Sequence, residues 1–513
     1  MTKRASGFGL VLPPRRAATP AYRWLYASLR AEILEGRLRS GARLPATRDL
    51  ARQYRLSRGT IVSAFELLKS EGYLQGTIGS GTYVSKILPD ALLQVTRAPG
   101  SRPSTRRKKK SSVSDFGKRV RLFSGFEMRA SRAFRSNVPA LELFPTTLWA
   151  QITARRLRRA SMQLLLGCEA MGYAPLRGAV ANYLSSSRGV NCGAEQIAIV
   201  SGAQEALDLT ARLLLNPGDR VCMENPGYIG ARLVFEAAGA KISDVSLDDE
   251  GMKVRGASLR GSKLIYVTPG HQFPLGITMS LARRLRLLEW ARESGALIFE
   301  DDYDSEYRYS GPPIPALQGF DRQGLVIFAG SFSKVLFPSL RLGYLVIPPD
   351  LVARYAATIS LTTRHAPVLE QAVLCDFITE GHFGRHLRRM REVYAERLSV
   401  LLESAREQLA GLLEISAIEA GLQTVGWLRD GIDGESAMRA AAVRGVDVFP
   451  LSRYTRGRVA REGLQLGFAA VDEREIRRGV QELAAALEAE SKALQRQGRR
   501  REAPETRFTP RPN

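Results

Sequence analysis

SFSKVLFPSLRLGYLVIP, residues 331–348, decides the architecture of the large part of this chain. It begins where the apolar run GLVIFAG (324–330) ends, and it closes on a second run, GYLVIP (343–348). Short continuous apolar runs of this kind form strands covered on both faces. Lys334 falls just past the first run, between Ser331 and Ser333, with Arg341 seven positions later. A lysine in such a place is usually a solvated surface charge. It becomes an attachment point only where helper groups converge on it.

The runs around it supply candidates in order. QIAIV, RVCME, KLIYVT and ALIFEDD alternate with helical stretches, the pattern of an α/β domain built on a largely parallel sheet. Each is followed by a polar turn, and open α/β sheets bind ligands at the C-terminal ends of their strands. SGAQEALDL (201–209) starts a helix whose free N–H groups at Gly202, Ala203 and Gln204 suit a phosphate. NPGYIGAR (225–232) offers Tyr228 to cover a ring face. TPGHQFPLG (268–276) places His271 and Gln272 where a ring hydroxyl would lie. EDDYDSEYRY (300–309) offers Asp301 for a pyridine nitrogen and Tyr303 for a phenolic oxygen. Ser331, Ser333 and Arg341 complete a phosphate site. An acid, an aromatic cover, a phosphate cradle and a lysine are the requirements of pyridoxal phosphate held as a Schiff base, here on Lys334. Each motif alone has a plainer reading, as a helix cap or an acidic turn. Their joint order carries the expectation.

The first quarter of the chain differs in texture. The protein has 513 residues and a net charge of +24. Residues 1–120 hold 24 Lys/Arg against 7 Asp/Glu, a balance of +17, which leaves +7 for the rest. A positive field concentrated on a small head points to a polyanion, with nucleic acid first. Tyr22, Leu25, Tyr26, Leu29 and Ile33 fall on one helical face, and a second short helix follows Pro45. Ser57 caps a third, RGTIVSAFELLKSEG. YLQGTIGSGTYV then reads as a hairpin. Three helices and a hairpin form a winged helix-turn-helix, whose third helix enters the major groove of double-stranded DNA. Arg43, Arg48, Ser57, Arg58, Thr60 and Gly79 are the candidate DNA contacts, with Arg58 best suited to read guanine.

The stretch 22–85 resembles the GntR-type winged-helix domain, with PATR in place of the commoner PSxR form. Residues 121–490 resemble fold type I pyridoxal-phosphate enzymes of the aspartate aminotransferase class, with large and small subdomains. Because LSRGTIVSAFELLKSEGYLQGTIGSGTYV is joined to GYAPLRGAVANYL, TPGHQFPLG and SFSKVLFPSLRLGYL, nearly the whole chain resembles the MocR/GabR family of regulators. The resemblance implies a homodimeric transcription regulator that binds an operator as well as pyridoxal phosphate. Its aminotransferase-like domain would sense the cofactor itself, or an amino acid or amine that displaces Lys334. The alternative is a working aminotransferase that carries a DNA-binding head. One departure bears on that choice. Where such enzymes carry a carboxylate-gripping arginine, GLQLGFAAV has Gln465, which cannot make the charged two-pronged contact. Arg453 and Arg232 are the substitute candidates for an effector carboxylate.

The expected domains are a disordered tail at 1–20, the winged helix at 21–88, a flexible basic linker at 89–120, the large domain at 121–490 and a second tail at 491–513. Four scattered cysteines fit reduced thiols, and the absence of a long apolar run argues against a membrane span, so a bacterial cytoplasmic protein on DNA is expected. His382 and His386, spaced i, i+4 among arginines, read as solvated helix surface with no metal.

Overall fold

The computed structural model describes residues 12–15, 19–77, 81–86, 112–123, 132–255, 259–311, 314–415, 418–457, 459 and 461–502. The chain divides into two compact units, 1–111 and 112–513.

The first unit holds α1 (Ala21–Leu34), α2 (Thr47–Gln53), α3 (Arg58–Ser70) and the antiparallel pair β1 (Leu74–Thr77) and β2 (Gly81–Val84). The apolar stripe of α1 meets that of α3: Leu25, Leu29, Ile33, Leu50, Ile61, Phe65 and Leu68 form one core, each at most 2% exposed. Ser57 accepts a hydrogen bond from the Thr60 backbone at 3.1 Å, which caps α3 as its sequence requires. Part of the stretch expected as an N-terminal tail is docked instead. The Trp24 indole donates to the Pro13 carbonyl at 2.9 Å, and Leu12 packs on the core.

The second unit is built on an eight-stranded sheet. Its strands are β3 (Ile197–Val200), β4 (Arg220–Asn225), β5 (Lys241–Asp248), β6 (Gly251–Met252), β7 (Ser262–Val267), β8 (Leu297–Asp302), β9 (Val326–Ser331) and β10 (Gly343–Val346). They stand in the order β3-β10-β9-β8-β7-β4-β5-β6. The pairs β5–β4, β4–β7, β7–β8 and β8–β9 are parallel, whereas β10 runs antiparallel to both β3 and β9. Apolar clusters cover the sheet, as its continuous hydrophobic strands demand. A second, antiparallel sheet of order β11-β12-β14-β13 comprises β11 (Leu413–Ile415), β12 (Gln423–Leu428), β13 (Phe449–Pro450) and β14 (Gly463–Gly467).

Three further expectations change. The stretch read as linker already contains a helix, Asp115–Arg119, whose Arg119 Nε donates to the Ala237 carbonyl at 3.0 Å, so the second unit starts before residue 121. The last helix runs Glu473–Glu502, past the expected start of the tail at 491. His386 is not solvated: only 7% exposed, it lies with Nε2 3.1 Å from the Val335 carbonyl, next to Lys334 in sequence. Burial lowers its pKa from the usual value. No helix among the described residues is long and apolar enough to cross a membrane. No group of three metal-ligating side chains occurs among them.

Candidate functional site

The large sheet delivers its polar turns to one place. β9 ends at Ser331, whose hydroxyl accepts from the Ser333 backbone and starts the short helix Phe332–Val335. This puts Lys334 one turn past the strand. Its Nζ donates to the Asn137 carbonyl at 2.7 Å. The side chain is partly exposed by surface area yet closely surrounded by protein, and this desolvation pulls its ammonium down to about 8, while Asp304 and Asp301 oppose the fall. Asp301, at the end of β8, is 5% exposed and accepts from the Tyr266 hydroxyl at 2.7 Å. Burial pushes its carboxyl up to about 6, and the Tyr266 hydrogen bond and Lys334 hold it from going higher.

These shifts give a pH expectation. Only the neutral amine is a nucleophile, so the rate at which added pyridoxal phosphate develops its visible band should rise with a midpoint near pH 8, well below an ordinary lysine's value of about 10.4. Asp304→Asn should move that midpoint lower still, because it removes an acid that favours the charged form. The sign for stability follows too. Between the folded and unfolded values the unfolded chain keeps a proton that the folded chain has lost, so Lys334 adds stability as pH rises from about 8.

The phosphate cradle forms where β3 gives way to the helix Ala203–Leu214. Gly202 caps that helix with φ +101°, and a Cβ built there would sit 3.6 Å from an Arg341 guanidinium nitrogen. Arg341 itself has φ +51°, in the left-handed region, after the turn Pro338–Leu340. Ser333 Oγ is buried without a hydrogen-bond partner among the described residues. A helix N-terminus, a guanidinium and an orphaned hydroxyl together fit a phosphate group.

The aromatic cover also assembles. Tyr228 caps the helix Ile229–Ala238, and its hydroxyl accepts from Gln204 Nε2 at 2.9 Å. This bond takes the Gln204 side chain, while its backbone N–H stays in the first turn of the helix that starts at Ala203. The Tyr228 ring meets Phe273 edge-on at 5.6 Å, and Phe273 meets Tyr303 at 5.9 Å and Tyr454 at 5.2 Å. His271, 3% exposed, has Nδ1 3.0 Å from Asp304 and 3.0 Å from the Tyr303 hydroxyl. Gln272 turns away from the ring position expected for it. Its amide nitrogen faces Glu224 (3.2 Å) and the carbonyls of Pro226 (3.0 Å) and Phe273 (2.6 Å), and so it braces the turn. Glu224, fully enclosed, is pushed up to about 7 by that burial.

Both effector arginines have an acidic partner, although Arg232 Nη1 is buried with no hydrogen-bond partner among the described residues. Arg453 makes a bidentate pair with Glu435, at 2.7 and 3.0 Å, and is exposed. Arg232 pairs with Asp244. The neighbour of Arg453, Tyr454, is the one that enters the site, where its hydroxyl donates to Gln465 Oε1 at 2.8 Å. Glu224, Tyr266, Phe273, Asp304, Asn137 and Tyr454 were not singled out from sequence. Phe273 and Asp304 lay inside the quoted turns, but spacing along a turn does not say which side chains point inward.

In the first unit, Ser57 and Thr60 share a hydroxyl hydrogen bond at 2.8 Å, so both serve the cap of α3. Arg58 opens α3 and Arg48 lies in the first turn of α2, and both are exposed. Arg43, exposed, bridges to Tyr83 beside Gly81. Gly79 lies outside the described residues.

A winged helix on one unit and an aminotransferase-type lysine site on the other define a DNA-binding regulator with an enzyme-derived domain. Residues 21–84 match the gntR family of bacterial regulatory proteins, and residues 134–483 match aminotransferase class I and II. Over 92% of this chain and 95% of the relative, the sequence is 40% identical to the probable rhizopine catabolism regulatory protein MocR of Rhizobium meliloti. It is 32% identical to the HTH-type transcriptional regulator TauR of Rhodobacter capsulatus, over 89% and 94% of the two chains. The crystal structure of α-aminoadipate aminotransferase LysN from Thermus thermophilus, complexed with N-(5'-phosphopyridoxyl)-L-leucine, superposes with a TM-score of 0.68. Identity is 28%, covering 74% of this chain and 98% of that one. The chain belongs to the MocR-type branch of GntR transcriptional regulators, in which the helix-turn-helix head is fused to an aminotransferase-like domain.

Proposed function

We propose that this regulator holds pyridoxal phosphate on Lys334 and that occupancy of this site, by the cofactor alone or with an amino compound, sets its affinity for operator DNA. One observation supports it above the others. Lys334 is enclosed beside Asp301 and Asp304 with its ammonium pulled down to about 8, in a chain whose α3 presents an exposed Arg58. A lysine in that state suits covalent attachment rather than surface solvation.

When bound, pyridoxal phosphate supplies an aldehyde that takes an amine and a ring that withdraws electrons from it. Asp301 would hold the ring nitrogen, and Tyr228 would lie against the ring. The N–H groups at Gly202, Ala203 and Gln204, with Ser331, Ser333 and Arg341, would hold the phosphate. His271 fixes the Tyr303 hydroxyl, and Asp304 fixes His271. Arg43, Arg48 and Arg58 supply the cations for DNA, with Arg58 reading a base and the others placing the backbone. Two heads on a cytoplasmic homodimer would meet two half-sites. Gln465 in place of an arginine and the bidentate engagement of Arg453 by Glu435 weigh against a working amino-acid transaminase.

The test is an operator titration. DNA selected from a random pool by the full-length protein is bound at one fixed salt concentration, with and without pyridoxal phosphate. An affinity change of about fivefold or more is expected, the lower end of ordinary site coupling. Arg58→Ala should weaken specific binding by roughly 5- to 150-fold, the worth of one good base contact of about 1–3 kcal/mol, and relax the base preference. An operator affinity indifferent to the cofactor, or transamination at enzyme-like turnover, would reject the sensor reading.

A further inference from the structure

Two side chains at the edge of the Lys334 site have an unmet need. β12 and β14 pair so that Val425 lies opposite Gln465 and Gln423 lies opposite Gly467. Side chains at 423, 425 and 465 therefore share one face of the four-stranded sheet. Gln423 is 1% exposed and Gln465 is 0% exposed. Both have their oxygen engaged. Gln465 Oε1 accepts from the Tyr454 hydroxyl at 2.8 Å, and Gln423 Oε1 accepts from the Asn137 backbone at 3.0 Å. Both leave Nε2 buried with no hydrogen-bond partner among the described residues. The engaged oxygens orient each amide and leave its NH2 group over.

Both amides are wired to the site. Asn137 is the residue whose carbonyl accepts the Lys334 amine, and Tyr454 packs on Phe273 beside Tyr228 and Tyr303. An unsatisfied buried donor is costly, so two of them on one face call for an acceptor from elsewhere. Their chemistry limits what that acceptor is. Both are neutral. A carboxylate taken out of water needs a cation beside it, whereas a hydroxyl, ether or amide oxygen needs only a donor. Of the two arginines that the sequence offered for a carboxylate, Arg453 is paired with Glu435, and the charge of Arg232 is matched by Asp244 through Nη2, with its Nη1 buried and unpartnered among the described residues.

We propose that the effector is a primary amine whose far end carries uncharged oxygen, such as a hydroxyl or ether, received by the amide groups of Gln465 and Gln423, rather than an amino acid received by its carboxylate. This rests on the reading that Lys334 holds pyridoxal phosphate.

Matched amines test it. The full-length protein is loaded with pyridoxal phosphate and its visible band is recorded. It is then titrated with 4-aminobutan-1-ol against 4-aminobutyrate, and with 2-amino-1,3-propanediol against L-serine. Each pair differs in a hydroxymethyl group set against a carboxylate. The amino alcohols should perturb the band at concentrations at least tenfold lower than their acid partners. Gln465→Arg should invert that order, and Gln465→Met, which removes the donor without adding charge, should erase it. Equal or better response to the acids in the wild-type protein would overturn the proposal, as would indifference to all four amines. A missing band before any amine is added would instead sink the cofactor reading beneath it, so the two failures are told apart at the first spectrum.

Discussion

Lys334→Ala abolishes the visible absorption band that pyridoxal phosphate gives with the wild-type protein, while binding of DNA by the head persists. This is the largest effect expected at the site, because it removes the amine proposed to bond the cofactor's aldehyde. Lys334 is the amine that reaches the Asn137 carbonyl and feels both Asp301 and Asp304. The retained phosphate cradle should still hold the cofactor non-covalently, so equilibrium dialysis should find weakened binding rather than none. Absorption spectra of the two proteins at equal cofactor occupancy decide the matter. A band that survives the substitution would place the attachment on another lysine and dissolve the reading of the whole constellation.

Phe65→Ala should unfold the DNA-binding head and leave the large unit intact. Phe65 is 2% exposed at the centre of the α1–α3 contact. Truncating a buried phenylalanine costs about 3–5 kcal/mol. A unit of this size has a total stability of only roughly 3–10 kcal/mol. Operator binding should vanish, yet the pyridoxal phosphate band should match the wild type, since the two units have separate cores. Joint loss of both signals would mean that the units fold as one cooperative block.

The fold was legible where physics leaves a strong trace along the chain. QIAIV, RVCME, KLIYVT, ALIFEDD and GLVIFAG are covered on both faces, so their hydrophobicity is continuous, and each became a strand of the large sheet. β5 escaped notice because Ser243, Asp244, Ser246 and Asp248 interrupt it. Arg119 lies in a stretch whose charge predicts a solvated linker, yet its guanidinium reaches a main-chain carbonyl and its helix packs on the rest of the large unit. His386 misled for the same reason. Its arginine neighbours face water, while one side of the helix His382–Gln408 is buried and takes the histidine with it.

At the site the turns were legible and the directions within them were not. Asp301 lies at the end of β8, and Tyr228 and Lys334 lie three residues past the ends of β4 and β9. Adjacent residues then exchanged expected roles. Tyr454 faces Phe273, and Arg453 faces Glu435; Phe273 joins the aromatic cluster, and Gln272 braces the turn. A one-residue difference reverses a side chain's direction, and only the pairing of distant segments determines which way it goes.

The groups proposed to anchor the cofactor lie at or beyond strand ends of the eight-stranded sheet, whereas Gln423 and Gln465 lie within strands of the four-stranded one. On the proposed reading, holding the cofactor and judging its visitor are thus written on separate stretches of chain. A lineage can exchange one chemical cue for another by drift at 423 and 465 alone, with Lys334 and Asp301 unchanged. The same partition suits a designed biosensor, in which a small library at those two positions on β12 and β14 would retune which amine switches a reporter while the head and its operator stay as they are.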